Sequence, residues 1–334
     1  MNIPHDAQNI AIFFLLSFVL TMAALPRMIR ILRSSDMVVR DYYKAGNVYV
    51  PTNGGLLITL VVLVMLSISV IFCNSPINFI IVYIAVMYAT FGILDDYLRI
   101  RNRWLKIFFP YFLSYPIALI LQPHAMETIG LFFDVTPTSV TCFYYIIAPM
   151  YVMVVANMVN MHSGFNGLQS GLSSIVFFFL LVKSFMVGRI EHLNIFAAFF
   201  GANLAFWTYN RYPSSIFEGN IGAMLIGAAM GVFIVFQGFL ISGIVMLLPH
   251  IINFLMYFYW RVRRKICQRQ GTPTEEYGSF KFGHLREDGT IRVPNRLTLK
   301  WLPPYYYQMT EKEVVRIMYA FTAMTCAIAL YVPY

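Results

Sequence analysis

Residues 221–260 read IGAMLIGAAMGVFIVFQGFLISGIVMLLPHIINFLMYFYW, a run of forty residues without Asp, Glu, Lys or Arg. A bilayer core needs only about 20 apolar residues per helix, so this run is too long for one membrane span. Gln237-Gly238 and Ser242-Gly243 supply turn residues near its middle, and we expect two spans to meet there. The run therefore predicts a polytopic membrane protein.

The composition of the whole chain agrees with this prediction. Of its 334 residues only 12% are charged and 17% are aromatic, and the mean hydropathy is +0.67, which excludes an ordinary soluble globular core. The net charge of +9 is interpreted as the membrane's positive-inside bias, and no nucleic-acid partner is expected. The four cysteines are far apart and form neither a disulfide framework nor a metal-binding spacing.

Ten apolar runs of roughly spanning length are present. The first precedes Arg27, Arg30 and Arg33, the reverse of a signal peptide's charge order, so it is interpreted as a retained span. We predict an all-α polytopic membrane protein of about ten helices, with one domain over residues 1–334 and a larger loop at about 261–313, in which turn residues at 287–290 favour a hairpin. The runs lie near 10–25, 55–73, 77–94, 107–122, 138–156, 171–188, 194–208, 221–237, 241–260 and 314–332.

Lys and Arg sort sharply in this topology. With the N-terminus outside, 22 of the 24 basic residues fall in inward loops and helix ends, leaving only Lys183 and Arg189 outside. This asymmetry follows the positive-inside rule and predicts both termini on the outer, non-cytoplasmic side.

Four polar elements fall on the predicted inner side. Each has an ordinary explanation by itself: solvated charges at a helix end, helix capping, or a polar turn. Together they supply what a phosphorylated, metal-bound ligand requires, namely oxygen ligands for Mg²⁺, bases for phosphate, and amides for a sugar or base. The elements are Asp41-Tyr-Tyr-Lys44; Asp95-Asp96 followed by Lys106; Asn157-Met-Val-Asn160 with Asn166-Gly167; and Arg211 to Gly222, which contains Glu218-Gly219-Asn220.

These residues resemble the polyprenyl-phosphate N-acetylhexosamine-1-phosphate transferases from about Asp41 to Arg296. Asp95-Asp96 looks like the family's acidic pair, and the spacing of Asn157, Asn160 and Asn166-Gly167 looks like its asparagine motif. The likeness is greatest to the UDP-N-acetylglucosamine–dolichyl-phosphate transferases. The bacterial muramoyl-pentapeptide branch has a run of histidines in the last cytoplasmic loop, where this chain has only His284.

The resemblance implies the activity and the roles of the residues. A lipid phosphate would attack a UDP-sugar, giving a lipid-diphosphate-sugar and UMP, in the first membrane step of glycan assembly, with N-glycan assembly favoured. Asp95, Asp96 and Lys106 would be catalytic, and Mg²⁺, or Mn²⁺ in its place, would be held by Asn160 and Asn220. Substrate contacts would come from Lys44, Asn157, Asn166, Gly167, Glu218, His284 and Arg286, with Asn166-Gly167 as the uracil contact.

One position departs from the family's pattern. The family's Phe-x-Gly-Asp ends in an aspartate, whereas here the residue is Asn220. An amide oxygen can bind a hard cation but brings no charge, so metal affinity should fall unless Glu218 or the acid pair compensates. A non-catalytic paralogue that binds lipid phosphate or nucleotide-sugar is therefore one alternative, and a transporter of nucleotide-sugars or lipid intermediates is another.

The implied partners are UDP-N-acetylhexosamine, most of all UDP-GlcNAc, polyprenyl or dolichyl phosphate, membrane lipid and, as a further option, a second copy of the chain. The active site would face the cytoplasm. The chain is shorter than we expect of eukaryotic members, which favours a prokaryotic plasma membrane over the endoplasmic reticulum.

Overall fold

The computed structural model describes residues 3–73, 76–98, 100, 102–119, 130, 134–271 and 282–333. This part of the chain is mostly helical. The main elements are α1 (Ile3–Ser34), β1 (Val38–Arg40), β2 (Tyr49–Pro51), α2 (Gly55–Cys73), α3 (Pro76–Leu98), α4 (Arg103–Ser114), α5 (Pro137–Met161, with a π turn at Phe143–Ile147), α6 (Leu168–Met186), α7 (Leu193–Asn210), α8 (Gly219–Phe236), α9 (Leu240–Met246), α10 (Leu248–Gln270), β3 (His284–Leu285), β4 (Ile291–Arg292), α11 (Leu302–Tyr306) and α12 (Glu311–Ala329).

Helix α8 is the centre of the molecule. Every residue from Ile221 to Phe236 is buried, and α3 and α5 pack along the helix. Gly and Ala make up much of its length, and such small residues let helices of a membrane bundle approach closely. The helix that is apolar all round is therefore the one surrounded by protein.

The ten predicted apolar runs all fall on helices where the structure describes them. Five helices among the described residues are long and apolar enough to cross a membrane, and the bent pair α9–α10 would be a sixth. The chain is thus an integral membrane protein by the character of its helices, while ten crossings and the sides of the termini stay predictions. The five are Ala7–Ser34, Ile77–Leu98, Pro137–Met161, Leu168–Met186 and Gly219–Phe236.

The forty-residue run divides at Gln237-Gly238, close to the predicted bounds at 237 and 241, and its second half is bent. Helix α8 ends at Phe236, and Gly238 takes a left-handed φ of 68°, whereas Ser242-Gly243 lie inside α9. The ninth predicted span is not one straight helix, since α9 and α10 meet at 69°. Pro249 near the start of α10 explains the break, because proline fits the first turn of a helix but not its interior.

The first part of the predicted loop at about 261–313 is helical. Helix α10 continues to Gln270, so the basic residues of that stretch lie on a helix. The hairpin expected near residues 287–290 is confirmed by the antiparallel pair β3–β4. A second hairpin, β1–β2, was not predicted and departs from the all-α expectation. Residues 120–122 of the fourth run, and Arg99, Arg101, Pro273 and Lys281, lie outside the described residues.

Candidate functional site

The site begins where the segment before α8 is fixed to the segment before α2. The amide N–H of Phe217 donates to Pro51 O at 2.7 Å, and those of Gly54 and Gly55 donate to Phe217 O and Glu218 O, both at 2.8 Å. Gly219 then has a φ of 75°, a left-handed conformation that glycine adopts without strain, and α8 starts there. Residues distant in sequence thus share one backbone frame.

The acid pair lies against the start of α8. The Lys106 Nζ is 2.5 Å from Asp95 Oδ1, and Asn220 Nδ2 donates to Asp95 Oδ2 at 3.1 Å. The Ile221 amide N–H donates to Asp96 Oδ2 at 3.3 Å. Both carboxylates therefore lie where the free N–H groups and the dipole of a helix favour negative charge.

A glycine on α3 makes this approach possible. A Cβ added at Gly92 would lie 2.5 Å from Ile221 Cα, closer than real contacts allow. Gly92 is one turn before the acid pair, so the same close crossing carries Asp95 and Asp96 to the N-terminus of α8.

A cavity of about 730 Å³ opens beside this cluster, within the range of small-molecule sites. We call it the main cavity. Its polar wall combines residues from four separate parts of the chain: Asp41, Asn160, Ser163, Asn166, Gln169, Asn210, Glu218 and Asn220. The aromatic rings of Tyr42, Tyr43, Phe165 and Phe282 line it as well.

Glu218 is the buried acid of the main cavity. It is 7% exposed, and its Oε1 has no hydrogen-bond partner. Burial raises the pKa of Glu218 to about 8, because a charged carboxylate loses its hydration there. An unpartnered carboxylate oxygen in a cavity wall is suited to a cationic or hydrogen-donating ligand.

Asn166 lines the same cavity, but its own amide is fully used by the protein. Its backbone N and Nδ2 donate to Glu311 Oε1 at 2.5 and 2.9 Å, and Nδ2 also contacts Asp41 Oδ2 at 3.2 Å. Its Oδ1 accepts from the Ser214 amide at 2.7 Å. Asn166 therefore joins three segments of the wall, and a direct contact to uracil stays a prediction.

Glu311 and Asp41 are functional candidates that sequence reasoning missed. Glu311 is 2% exposed, and burial raises its pKa to about 7. It stands at the first residue of the last apolar helix, where an acid is ordinary, so the sequence carries no signal of its contact with Asn166. Asp41 was noticed only as part of a weak polar element.

The remaining predicted residues lie around the main cavity without lining it. The amide of Asn157 donates to Met153 O at 2.9 Å and Ile107 O at 3.4 Å, which ties α5 to α4. Lys44 pairs with Asp41 at 3.1 Å and donates to Ser214 O at 2.9 Å. Gly167 has a φ of 72° and packs against Arg211, where a Cβ would be 2.8 Å from its Cα.

The hairpin β3–β4 reaches the cavity through a neighbour of the predicted residues. Phe282 stacks on Tyr42 with ring centroids 4.0 Å apart, whereas His284 is exposed. The Arg286 guanidinium donates to Thr290 Oγ1 at 3.2 Å within the hairpin. Neither His284 nor Arg286 lines the main cavity.

A metal ion would have to be held by few charges. Among the residues that the structure describes, no three His, Cys, Asp or Glu side chains are grouped to bind a metal. The main cavity is lined by the carboxylates of Asp41 and Glu218 and by the amides of Asn160 and Asn220, and Asp96 lies beside Gly219 and Ile221 at its edge. The unpartnered Glu218 Oε1 fits a hard cation, which prefers oxygen ligands.

Comparison with known proteins agrees with the sequence motifs. The family model described as Glycosyl transferase family 4 matches residues 78–238, which include the acid pair, the asparagine motif and the start of α8. The phospho-N-acetylmuramoyl-pentapeptide-transferase of Streptococcus mutans serotype c is 27% identical over 84% of this chain and 88% of its own length. The expected family resemblance is confirmed.

Two further relatives represent both branches considered above. A Saccharolobus solfataricus protein, provisionally named UDP-N-acetylglucosamine–dolichyl-phosphate N-acetylglucosaminephosphotransferase, is 30% identical over 52% of this chain. The phospho-N-acetylmuramoyl-pentapeptide-transferase of Prochlorococcus marinus subsp. pastoris is 30% identical over 58%. The chain matches 53% and 58% of the lengths of these two relatives, so the comparisons leave the branch open.

Proposed function

Because the motifs and the matched family agree on glycosyl transferase family 4, we propose that this chain transfers an N-acetylhexosamine-1-phosphate from a UDP-sugar to a polyprenyl phosphate, with release of UMP. The observation that carries the proposal is the cluster of Asp95, Lys106 and Asn220 at the N-terminus of α8 beside the main cavity. This arrangement gathers a base, acids and helix N–H groups at one edge of a ligand-sized space.

The chemistry asks more of electrostatics than of proton transfer. A lipid phosphate with a second pKa near 6 is already largely dianionic at pH 7, so the nucleophile hardly needs a general base. The reaction instead brings two anions together, and fixed positive groups must offset their charge. Asp95 is therefore a positioning carboxylate, which holds the Lys106 ammonium 2.5 Å away.

Lys106 is the basic residue of this cluster, and we assign it the role of binding a substrate phosphate. Its side chain is 34% exposed while that of Asp95 is 6% exposed, so the ammonium can reach a ligand and still keep its counter-ion. Asp96 accepts from the Ile221 amide, which fixes the start of α8 and with it Asn220. The nucleotide-sugar then occupies the main cavity, where amides and aromatic rings suit a sugar and a base.

A divalent cation, Mg²⁺ or Mn²⁺, is part of the proposal. Asp96, Glu218, Asn160 and Asn220 would hold it, and its chemistry would be to offset the charge of the diphosphate. Glu218 lines the same cavity two residues away, and a bound cation would ionise its carboxyl against the effect of burial and so supply the negative charge that Asn220 lacks. Glu218→Gln should therefore weaken the Mg²⁺-induced rise in melting temperature, a readout that does not depend on activity.

The position of the site in the membrane follows from the sorted charges. We propose ten crossings with both termini outside and the main cavity on the cytoplasmic side, where a water-soluble UDP-sugar arrives. The acceptor's phosphate reaches the same boundary while its tail stays in the bilayer. GlcNAc is the sugar we expect, because His284 stands alone in the loop where the muramoyl-pentapeptide branch has several histidines.

A non-catalytic binding protein is the second candidate, and the neutral Asn220 favours it. The transporter has less support, because Lys183, the basic residue within an apolar helix, donates to Ala329 O at 2.9 Å and Val332 O at 2.7 Å and so closes the end of α12. Its charge has a structural use there.

The test is transfer of radiolabelled sugar phosphate to polyprenyl and dolichyl phosphates, from several UDP-sugars, with and without Mg²⁺. Product formation that requires Mg²⁺ and is greatest with UDP-GlcNAc is expected. Asp95→Asn should reduce UMP release about 100- to 1,000-fold, the usual loss for one electrostatic partner. Absence of product with every donor and acceptor, in folded protein that still binds UDP-sugar, would leave the binding protein as the function.

A further inference from the structure

A second cavity of about 700 Å³ lies between the end of α7 and the start of α12. We call it the α7–α12 cavity. It shares Asn166 with the main cavity and is otherwise lined by different residues. They are Trp207, Thr208, Tyr209, Arg211, Tyr212, Pro213, Ser215, Lys312, Val315, Arg316 and Tyr319.

The charge of the α7–α12 cavity is positive. Arg211, Lys312 and Arg316 line it, and no carboxylate does. In the described part of the chain, the ion pairs within 4.0 Å are Lys44–Asp41 and Lys106–Asp95, and neither involves these three bases. Their charge is therefore not neutralised by a close carboxylate.

The acids on the same turn of α12 are directed elsewhere. Glu311 accepts from Asn166 at the main cavity, and Glu313 accepts from Thr310 N and Oγ1, both at 2.9 Å, in a capping box. Lys312 and Arg316 are four residues apart on the helix and so share one face. The helix presents bases to the cavity and acids away from it.

Aromatic side chains also line the α7–α12 cavity. The Arg211 guanidinium lies over the Trp207 ring, 5.5 Å from its centroid. The Trp207 Nε1 donates to Tyr319 Oη at 2.9 Å, so this polar atom is satisfied within the protein. The rings of Trp207, Tyr209, Tyr212 and Tyr319 line the cavity and give an apolar part of a ligand a surface next to three groups suited to a phosphate.

We propose that the α7–α12 cavity binds the phosphodiester headgroup of an anionic membrane phospholipid. Arg and Lys would hold the phosphate, and the aromatic rings would pack the glycerol and the first methylenes. The cavity is formed by the ends of two helices that the sequence predicts as membrane spans, on the predicted inner side where the basic residues gather. Basic pockets between helices on that side bind anionic headgroups. Its separation from the acid pair makes it a site additional to the proposed transfer.

The test is native mass spectrometry of the purified full chain in detergent, titrated separately with phosphatidylglycerol, phosphatidylcholine, UMP or polyprenyl phosphate. The variant combines Arg211→Ala, Lys312→Ala and Arg316→Ala. Its matched control combines Arg27→Ala, Arg30→Ala and Arg33→Ala, which removes three exposed bases of α1 on the same predicted side. Melting temperature and gel filtration verify that both proteins are folded, and Arg316→Glu alone replaces the triple variant if that one is not.

Wild type and control should retain one phosphatidylglycerol per chain in preference to phosphatidylcholine. Each base near an anionic lipid contributes about 1 kcal/mol, about fivefold in affinity, so the cavity variant should bind on the order of 100-fold more weakly. Equal losses in cavity variant and control would mean general attraction to basic residues and would overturn the proposal. Retention of UMP or polyprenyl phosphate in place of phosphatidylglycerol, lost in the cavity variant alone, would overturn the assignment to a bilayer lipid.

Discussion

Replacing Asn220 by Asp should make the stability of the protein depend on a divalent cation. In the wild type Asn220 Nδ2 donates to Asp95 Oδ2 at 3.1 Å. The Asp side chain has no N–H to donate, so Asn220→Asp removes this hydrogen bond and places a second carboxylate against the first. Lys106 already pairs with the other oxygen of Asp95 and offsets only one of the two charges.

The magnitude follows from this distance. Two unit charges 3.1 Å apart repel by about 5 kcal/mol at an effective dielectric constant of about 20. Rotation of the side chains to about 5 Å leaves about 3 kcal/mol at the same dielectric constant. At roughly 2–4 °C per kcal/mol, the melting temperature in EDTA should fall by roughly 6–12 °C. A cation between the carboxylates would remove most of this repulsion.

The assay is thermal unfolding of wild type and Asn220→Asp in EDTA and in Mg²⁺, with the same UMP concentration throughout. The Mg²⁺-induced rise in melting temperature should be larger in the variant than in the wild type. Asn157→Asp is the matched control, because the Asn157 amide faces backbone carbonyls of α4 and α5. The decrease in melting temperature that this variant causes should be the same with and without Mg²⁺. Unchanged stability of Asn220→Asp in EDTA would refute the proposed contact, and an equal Mg²⁺ response in both proteins would refute the cation site.

Two other predictions address the remaining charged groups of the site. Lys106→Ala should lower kcat about 100- to 1,000-fold, because it removes the phosphate partner and leaves Asp95 buried without its counter-ion, while Lys106→Arg should recover part of the rate; full activity of the alanine variant would contradict the role. Burial raises the pKa of Glu311 from 4.5 to about 7, so the native state keeps a proton that the unfolded chain releases, and wild-type stability falls as pH rises between these values. Glu311→Gln cannot titrate yet can still accept from Asn166, so its melting temperature should vary less from pH 5 to 7 than that of wild type or of the exposed control Glu287→Gln, and an unchanged slope would contradict this account.

The fold was predictable to the extent that it follows from hydropathy. All ten apolar runs fall on helices where the structure describes them, because a long run without charge has few other stable conformations in a bilayer. The bend at Pro249 and the extension of α10 to Gln270 were missed. Composition predicts where the apolar, lipid-facing part of a helix ends. A helix with basic residues can continue beyond that point with the same backbone conformation, so its end is not predicted.

The residues of the candidate site were predictable where sequence spacing and charge agreed. They were unpredictable where a contact depends on which side chains are buried together. Asp95, Lys106 and Asn220 are adjacent in the structure. This agrees with the prediction that all three lie on the same side of the membrane. The partner of Asn166 is Glu311, 145 residues away and on a helix with no motif. Such a contact depends on how α12 packs against the loop before α6, and no local pattern of residues predicts it.

The role of Asn220 differs between the prediction from sequence and the structure. From the sequence, Asn220 was interpreted as the neutral replacement of the family's aspartate next to a proposed cation. In the structure its amide is a hydrogen-bond donor to Asp95, so the neutral side chain lets Asp95 and Lys106 pair without a second acid in contact. Glu218, on the wall of the main cavity, is the acid that a bound cation would ionise, since burial otherwise raises its pKa to about 8. If Glu218 supplies the charge that Asn220 lacks, the double replacement Glu218→Gln with Asn220→Asp should restore Mg²⁺-dependent stability that Glu218→Gln alone removes.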